Sequence, residues 1–137
     1  MQELRIRPNM PPLAAPPRVA ILLIAHGSRR PEANADLEYV AAQLLARGRY
    51  PVVQVSYLEL ADPGIEAGGA LCVQAGATDV ILLPYFLSPG KHVVEDLTAA
   101  RDRLTNQFPE TRFVLAEPLG RHHLLLEVLE QRAREVE

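Results

Sequence analysis

The sequence predicts an α/β domain of the flavodoxin-like type, in which a four-stranded parallel sheet carries helices on both faces. Three observations support this prediction. Short apolar runs without polar alternation are typical of strands that are buried on both faces, and four such runs are present. They alternate with segments of helical periodicity, which implies right-handed crossovers between parallel strands. A length of 137 residues, 48% of them hydrophobic, fits one core.

The predicted strands are the four apolar runs, namely Val19 to Ala25, Val52 to Leu58, Val80 to Tyr85 and Arg112 to Ala116. The first helix should contain Leu37 to Leu45 and stop at Gly48, because glycine is common just beyond a helix C-terminus. Residues 93–108 and 124–129 supply the periodicity of the third and fourth helices.

The second helix has its own start and stop signals. Asp62 followed by Pro63 resembles an N-cap with proline at the first helical position, and Gly76 should end the helix. Gly68 and Gly69 lie in its interior, where glycine lowers helix stability. We therefore expect a helix that is weakened at its centre.

Residues 1–17 form a separate region that is rich in proline, with Pro8, Pro11, Pro12, Pro16 and Pro17. Proline prevents regular hydrogen-bonded ladders, so this region is predicted to be a disordered arm. The folded domain should then comprise residues 18–137 as a single unit.

Charge and cysteine content exclude several functions. The net charge of −3 comes from interspersed acidic and basic residues, which argues against nucleic-acid or membrane partners. Apolar runs are too short to span a bilayer. Cys72 is the single cysteine, so neither an internal disulfide nor a structural zinc cluster is expected, and a cytoplasmic location is the simplest prediction.

Two histidines follow strands that should be neighbours. Ligands of open parallel sheets bind beyond the carboxyl ends of the strands, where successive crossovers go to opposite faces. His26 follows the first strand directly and His92 follows the third by a short loop. With strand order 2-1-3-4 both would face one crevice. Neutral imidazole binds first-row divalent metals and also accepts protons near neutrality.

Two carboxylates and several cations lie near these histidines. Glu59 ends the second strand, where it is a candidate third ligand or proton acceptor. Asp96 lies one helical turn after His92 and could orient its ring. The two carboxylates would also fit a solvated surface.

Positively charged side chains on the flanking loops could pair with carboxylates of a ligand, namely Arg29, Arg30 and Lys91. His122 and His123 are better explained as surface residues at a helix start than as metal ligands.

An ordered set of motifs resembles the short, CbiX-type sirohydrochlorin chelatases, which are relatives of the ferrochelatases. The resemblance covers about residues 19–132. It rests on Ala25-His26-Gly27-Ser28-Arg29, Asn34, Tyr57-Leu58-Glu59 with Pro63, Leu83-Pro84-Tyr85-Phe86-Leu87, Gly90-Lys91-His92 with Asp96, and Glu117-Pro118-Leu119-Gly120.

This resemblance implies a lyase that inserts cobalt, iron or nickel into sirohydrochlorin in cobalamin, siroheme or related tetrapyrrole biosynthesis. It implies that His26 and His92 bind the incoming metal and accept pyrrole protons. From its placement at the end of the second strand, Glu59 is predicted to assist. Binding of the tetrapyrrole is expected to involve Ser28, Arg29, Arg30, Tyr85, Phe86 and Lys91. The metal is a substrate, and no tightly bound cofactor is expected. Short members resemble one half of the two-half chelatases and work as homodimers, so a homodimer is predicted here.

Two other functions compete with this interpretation. A non-catalytic carrier of tetrapyrrole or metal could use the same crevice, and it would bind without turnover. A flavodoxin-like regulator or nucleotide binder would need a glycine-rich phosphate loop or an acidic phosphoacceptor pocket after the first strand. Neither feature is present in the sequence. The carrier is therefore the main alternative.

Overall fold

The computed structural model describes residues 15–137, which form a four-stranded parallel sheet flanked by helices. The elements in chain order are β1 (Val19–Ala25), α1 (Pro31–Ala46), β2 (Val52–Tyr57), α2 (Ile65–Gln74), β3 (Asp79–Pro84), α3 (Lys91–Gln107), β4 (Arg112–Leu115) and α4 (His123–Arg134). The strand order is β2-β1-β3-β4, as predicted. Each strand boundary lies within one residue of its predicted position.

Most of the predicted N-terminal arm lies outside the described residues. Residues 15–17 are exposed and have no regular structure. The chain enters the sheet at Arg18, whose carbonyl accepts hydrogen bonds from the backbone N–H groups of Thr78 and Asp79 at 2.9 and 3.3 Å. These contacts tie the start of β1 to the start of β3.

The sheet separates two clusters of buried residues. On β1, Ala20, Leu22 and Ile24 belong to the cluster beneath α2 and α3, while Ile21 and Leu23 belong to the cluster beneath α1. Side chains alternate between the faces of a strand, so an unbroken apolar run supplies both clusters. The prediction of helices on both faces is confirmed.

Gly68 and Gly69 allow α2 to pack closely, which the sequence interpretation missed. A Cβ atom at Gly68 would lie 2.8 Å from Cδ1 of Leu22, and one at Gly69 would lie 2.6 Å from Cδ2 of Leu104. Both glycines are buried. Any side chain here would push α2 away from β1 or α3, so the packing gain offsets the low helix propensity of glycine.

The predicted start of the second helix was wrong by two residues. Its N-cap is Gly64, whose carbonyl accepts from the N–H of Gly68 at 2.9 Å, and not Asp62. The carbonyl of Pro63 accepts from the N–H of Tyr57 at 2.9 Å, so this segment runs beside the end of β2. Because the backbone of Pro63 pairs with the end of β2, this residue cannot also belong to the helix. Gly76 follows the helix with a positive φ of 91°, as expected for a terminating glycine.

The C-terminal helix α4 is the least covered element. None of its residues is buried, and Leu126 and Leu129 are 64% and 65% exposed. A groove of about 1120 Å³ lies between α4 and the loops that follow β3 and β4. Among residues 15–137, every helix is too short or too polar to cross a bilayer.

Candidate functional site

His26 and Glu59 lie side by side beyond the ends of β1 and β2. The parallel pairing of these strands continues past their ends, because Leu58 N–H donates to Ala25 O at 2.9 Å and Glu59 N–H donates to His26 O at 3.0 Å. Both side chains are exposed. The position of the two residues is therefore determined by the same ladder that orders the sheet.

Gly27 makes this close approach possible. Its φ is +93°, and a Cβ at this position would overlap the carbonyl oxygen of Glu59. Only glycine adopts such a backbone conformation without strain and leaves room for the neighbouring chain. The glycine of the His-Gly pair thus has a structural reason that sequence spacing alone did not reveal.

The loop after His26 is closed by a second set of hydrogen bonds. The side chain of Asn34 accepts from Ser28 N–H at 3.0 Å and donates to Ser28 O at 2.8 Å. The hydroxyl of Ser28 accepts from Arg30 N–H at 3.1 Å, and Tyr57 donates its hydroxyl to Asn34 O at 3.2 Å. Ser28, predicted to bind substrate, is placed here as part of the loop scaffold.

The loop after β3 approaches His26 from the other side. Tyr85 N–H donates to Ile24 O at 2.7 Å, which continues the pairing of β1 with β3. The rings of His26 and Phe86 then meet edge to face, with centroids 4.6 Å apart and planes at 68°. Phe86 is only 7% exposed, whereas Tyr85 and Leu87 are 42% and 65% exposed. Phe86, which was predicted to bind substrate, contacts the ring of His26 in this structure.

A cavity of about 630 Å³ opens between α2 and α3 next to His26. His26, Glu59 and Asp96 all line it. Two further charged residues that the sequence interpretation missed lie on its walls, Glu66 from α2 and Arg103 from α3. Arg103 Nε donates to Glu66 Oε1 across the two helices. The sequence did contain a signal for Arg103. It follows Asp96 by seven residues, or about two helical turns, and so lies on the same side of α3.

His92 lies on the first turn of α3 and differs from His26 in its surroundings. Its side chain is 94% exposed, and its Nδ1 lies 3.7 Å from Oε2 of Glu95. The predicted neighbour Asp96 faces the cavity with His26 instead. The longer side chain of Glu95 reaches back along the turn to His92, and it also lies 4.0 Å from the ammonium group of Lys91.

The remaining predicted residues lie outside the cavity. Arg29 and Arg30 are exposed on the loop between β1 and α1. His122 caps α4, since its Nδ1 accepts from Leu124 N–H at 3.2 Å, and its ring stacks on His123. This agrees with the expected role at a helix start.

The metal-binding capacity of the single chain is limited. No group of three His, Cys, Asp or Glu side chains within residues 15–137 converges closely enough to enclose a metal ion. The buried Cys72 is no alternative ligand, because burial raises the pKa of its thiol to about 11, against a smaller lowering effect of its own backbone hydrogen bond. A thiol in this state is protonated at neutral pH.

The sequence profile of the CbiX family matches residues 20–136. The chain belongs to the CbiX family. The resemblance inferred from the ordered motifs is thereby confirmed. This CbiX chain is 38% identical over 112 residues to the chloroplastic sirohydrochlorin ferrochelatase of Arabidopsis thaliana, an alignment that covers 82% of the chain and 50% of the relative.

Solved structures of similar proteins agree with this assignment. The CbiX protein from Marinobacter aquaeolei superposes with a TM-score of 0.74 at 26% identity, over 85% of this chain and 95% of that one. The sirohydrochlorin chelatase SirB from Bacillus subtilis subspecies spizizenii, in complex with cobalt, superposes with a TM-score of 0.79 at 28% identity, over 87% of this chain and 51% of that one. The CbiX chain thus spans about half of the Bacillus and Arabidopsis proteins.

Proposed function

We propose that this CbiX protein inserts a divalent metal ion into sirohydrochlorin. One observation carries the proposal: backbone hydrogen bonds fix His26 beside Glu59 at the carboxyl edge of the sheet, where both line a cavity. An imidazole and a carboxylate together supply a metal ligand and a proton acceptor. The names of the Arabidopsis and Bacillus relatives support the same reaction class.

The reaction requires an exchange of charge at the centre of the macrocycle. A divalent ion loses water and binds the four pyrrole nitrogens, while two N–H protons leave, so the charge at the centre is unchanged. In the proposed mechanism His26 and His92 bind the arriving ion and Glu59 assists. As the ion transfers, the freed imidazole and carboxylate take up the two protons and release them to solvent.

The peripheral carboxylates of the tetrapyrrole need cationic partners. The loop residues Arg29, Arg30 and Lys91 are proposed to pair with them, with Ser28 and Tyr85 on the same rim. Arg103 is an additional cation on the cavity wall. Since the loop cations are exposed, their contribution should fall as salt increases.

A homodimer is proposed as the active form, because one half-unit offers only one wall to a broad macrocycle. The apolar side chains of Leu87, Leu126 and Leu129 are each at least 64% exposed, and they support pairing with a second copy. Phe86 is buried against His26 and does not belong to this exposed surface. Light scattering at micromolar concentration should give twice the monomer mass, and L126E with L129E should shift it toward the monomer.

The physiological metal and the location stay predictions. Imidazole and carboxylate accept cobalt, iron and nickel, with affinities that follow the general divalent series. The Arabidopsis relative is named for iron and the Bacillus structure contains cobalt. The cytoplasmic location rests on the single cysteine.

An absorbance assay separates an enzyme from a carrier. Purified protein is mixed with an excess of sirohydrochlorin and with each of Co²⁺, Fe²⁺ and Ni²⁺ in turn, and the metallated product is followed over many equivalents. We expect repeated turnover above the rate without protein. Product that stops at one equivalent of protein would identify a carrier, and product at the uncatalysed rate would overturn the proposal.

A further inference from the structure

The aromatic ring beside His26 has a role that the reaction class alone does not assign. His26 and Phe86 follow neighbouring strands, and the register of β1 with β3 pairs Ile24 with Pro84. Two residues further along each strand, the side chains emerge on the same side of the sheet. The contact between the two rings, at 4.6 Å between centroids, is therefore a product of the sheet register.

Phe86 is anchored independently of His26. Its carbonyl accepts from Leu119 N–H at 2.9 Å, so the loop after β4 fixes its backbone. The next residue, Leu87, is packed so tightly against Gly120 that a Cβ at Gly120 would overlap the Leu87 carbonyl oxygen. The ring itself belongs to the core cluster beneath α2 and α3. Phe86 thus presents a fixed surface to the more exposed histidine.

Within residues 15–137, which the structure describes, the His26 ring has no hydrogen-bonding partner of the kind usual for a metal-binding histidine. Such residues commonly donate their second ring N–H to a carboxylate or carbonyl, which sets the tautomer and the plane of the ring. None of the side-chain hydrogen bonds and ion pairs found among residues 15–137 involves the His26 ring. An edge-to-face aromatic contact is the feature that restricts its orientation.

We infer that Phe86 is a positioning residue, which sets the plane of the His26 imidazole and leaves both ring nitrogens available for metal and proton. The inference rests on the proposed function of His26. Its chemistry is distinct from substrate binding, because Phe86 acts through the histidine and touches neither the ion nor the macrocycle. A carboxylate partner would strengthen retention of the ion, whereas an aromatic partner restricts the ring without adding charge.

The test compares two phenylalanines in the same core. Phe86→Leu removes the ring beside His26, and Phe113→Leu removes a ring of equal burial that lies 6.3 Å from Phe108. Both variants should lose similar thermal stability. Only F86L should bind Co²⁺ more weakly, by about three- to tenfold, which is the range expected for one aromatic pair. The kcat of F86L should fall while its KM for sirohydrochlorin is unchanged. Phe86→Tyr keeps an aromatic ring beside His26 and should keep the wild-type affinity for Co²⁺.

A second measurement needs neither metal nor substrate. Ring-current effects of Phe86 should shift the His26 imidazole proton resonances in the metal-free protein, so F86L should move them and F113L should not. Equal Co²⁺ affinity and equal kcat in F86L and F113L would overturn the positioning role. If His26→Ala binds Co²⁺ and turns over as well as the wild type, the proposed function of His26 fails instead.

Discussion

His26 stands at the end of a buried strand, whereas His92 stands on the first turn of a helix, and the two positions differ in what fixes them. Backbone pairing to Glu59, a left-handed glycine and the Phe86 ring all restrict His26. His92 is 94% exposed and faces only the carboxylate of Glu95. In the proposed site, the half around His26 is therefore fixed and the half around His92 is open.

This difference suits the proposed reaction, in which the protein accepts a rigid ring and an ion in turn. The fixed half is prearranged by the sheet and needs no ordering when the ion arrives. The open half keeps its rotamer freedom until a ligand or a second copy covers it, and ordering it then opposes binding.

The largest effects are expected from the histidines themselves. H26A and H92A should each lower turnover by at least about a hundredfold, the scale of a lost acid–base group. Their metal-binding phenotypes should differ. H26A should weaken Co²⁺ binding in the absence of tetrapyrrole more than H92A, because only His26 is prearranged. Equal losses of Co²⁺ affinity, measured by titration calorimetry, would show that the two halves are equally ordered.

A substitution at Gly27 should have the next largest effect, because it disrupts the backbone contact between the His26 loop and Glu59. G27A combines an unfavourable φ with overlap of the Glu59 carbonyl, so it should reduce the free energy of unfolding by about 2 kcal/mol or more. Gly48 is a matched control, with φ +81° and open space around its Cβ direction. G48A should cost only about 1 kcal/mol of backbone strain and leave turnover unchanged. Urea unfolding of both variants measures the difference, and equal losses would contradict the packing argument.

The free energy of unfolding should fall at alkaline pH, because the buried thiol of Cys72 ionises less readily than it does in the unfolded chain. Burial raises the pKa of Cys72 to about 11, from 9.0 for the free thiol. The unfolded chain therefore loses this proton at lower pH than the folded chain. The stabilising contribution is complete below pH 9 and disappears as pH rises toward 11, a loss of about 2 kcal/mol.

The C72A variant isolates this contribution, because it retains every other titrating group. The stability difference between the wild type and C72A, measured by urea unfolding from pH 8 to pH 11, should change by that amount. A difference that is constant with pH would show that the thiol is not protected from solvent.

The smallest effects are expected at the carboxylates of α3. Glu95 is an exposed partner of His92, so E95Q should change stability by less than about 0.5 kcal/mol and turnover by less than about threefold. Asp96 lines the cavity with His26, and D96N should lower turnover by about tenfold. Steady-state rates at one pH compare the two. A larger loss of turnover in E95Q than in D96N would show that the exposed Glu95 contributes more to the reaction than the carboxylate that lines the cavity.

The sequence predicted the fixed half well because strand ends are marked by abrupt changes in hydropathy. Val19 to Ala25 is followed at once by His26, and parallel strands bring such ends to one edge. Glu59 was found by the same argument. The neighbours of the histidines were harder, because they depend on pleat and on side-chain rotamers. Phe86 was thus assigned to substrate, and Asp96 to the ring of His92.

Features that depend on interhelical distance were not predictable from local pattern. From the sequence, Gly68 and Gly69 indicated only a low helix propensity. Their short distances to Leu22 and Leu104 explain why small residues are needed at these positions. Similarly, Arg103 shares a side of α3 with Asp96, but its pairing with Glu66 requires the packing of α2 on α3. The local sequence pattern predicts which face of an element is buried, but it does not predict the distance between two packed elements.

The burial of Cys72 also bears on how readily an ion can be released. A thiolate is a soft, strongly bonding ligand, and one near the cavity would compete with the macrocycle for the ion. Cys72, the single cysteine among these 137 residues, is fully enclosed on the buried face of α2 and remains a neutral thiol at neutral pH. The ligands offered at the surface are then imidazole and carboxylate, which protonation can displace. In the proposed reaction, release of the ion can thus be coupled directly to the protons that the macrocycle gives up.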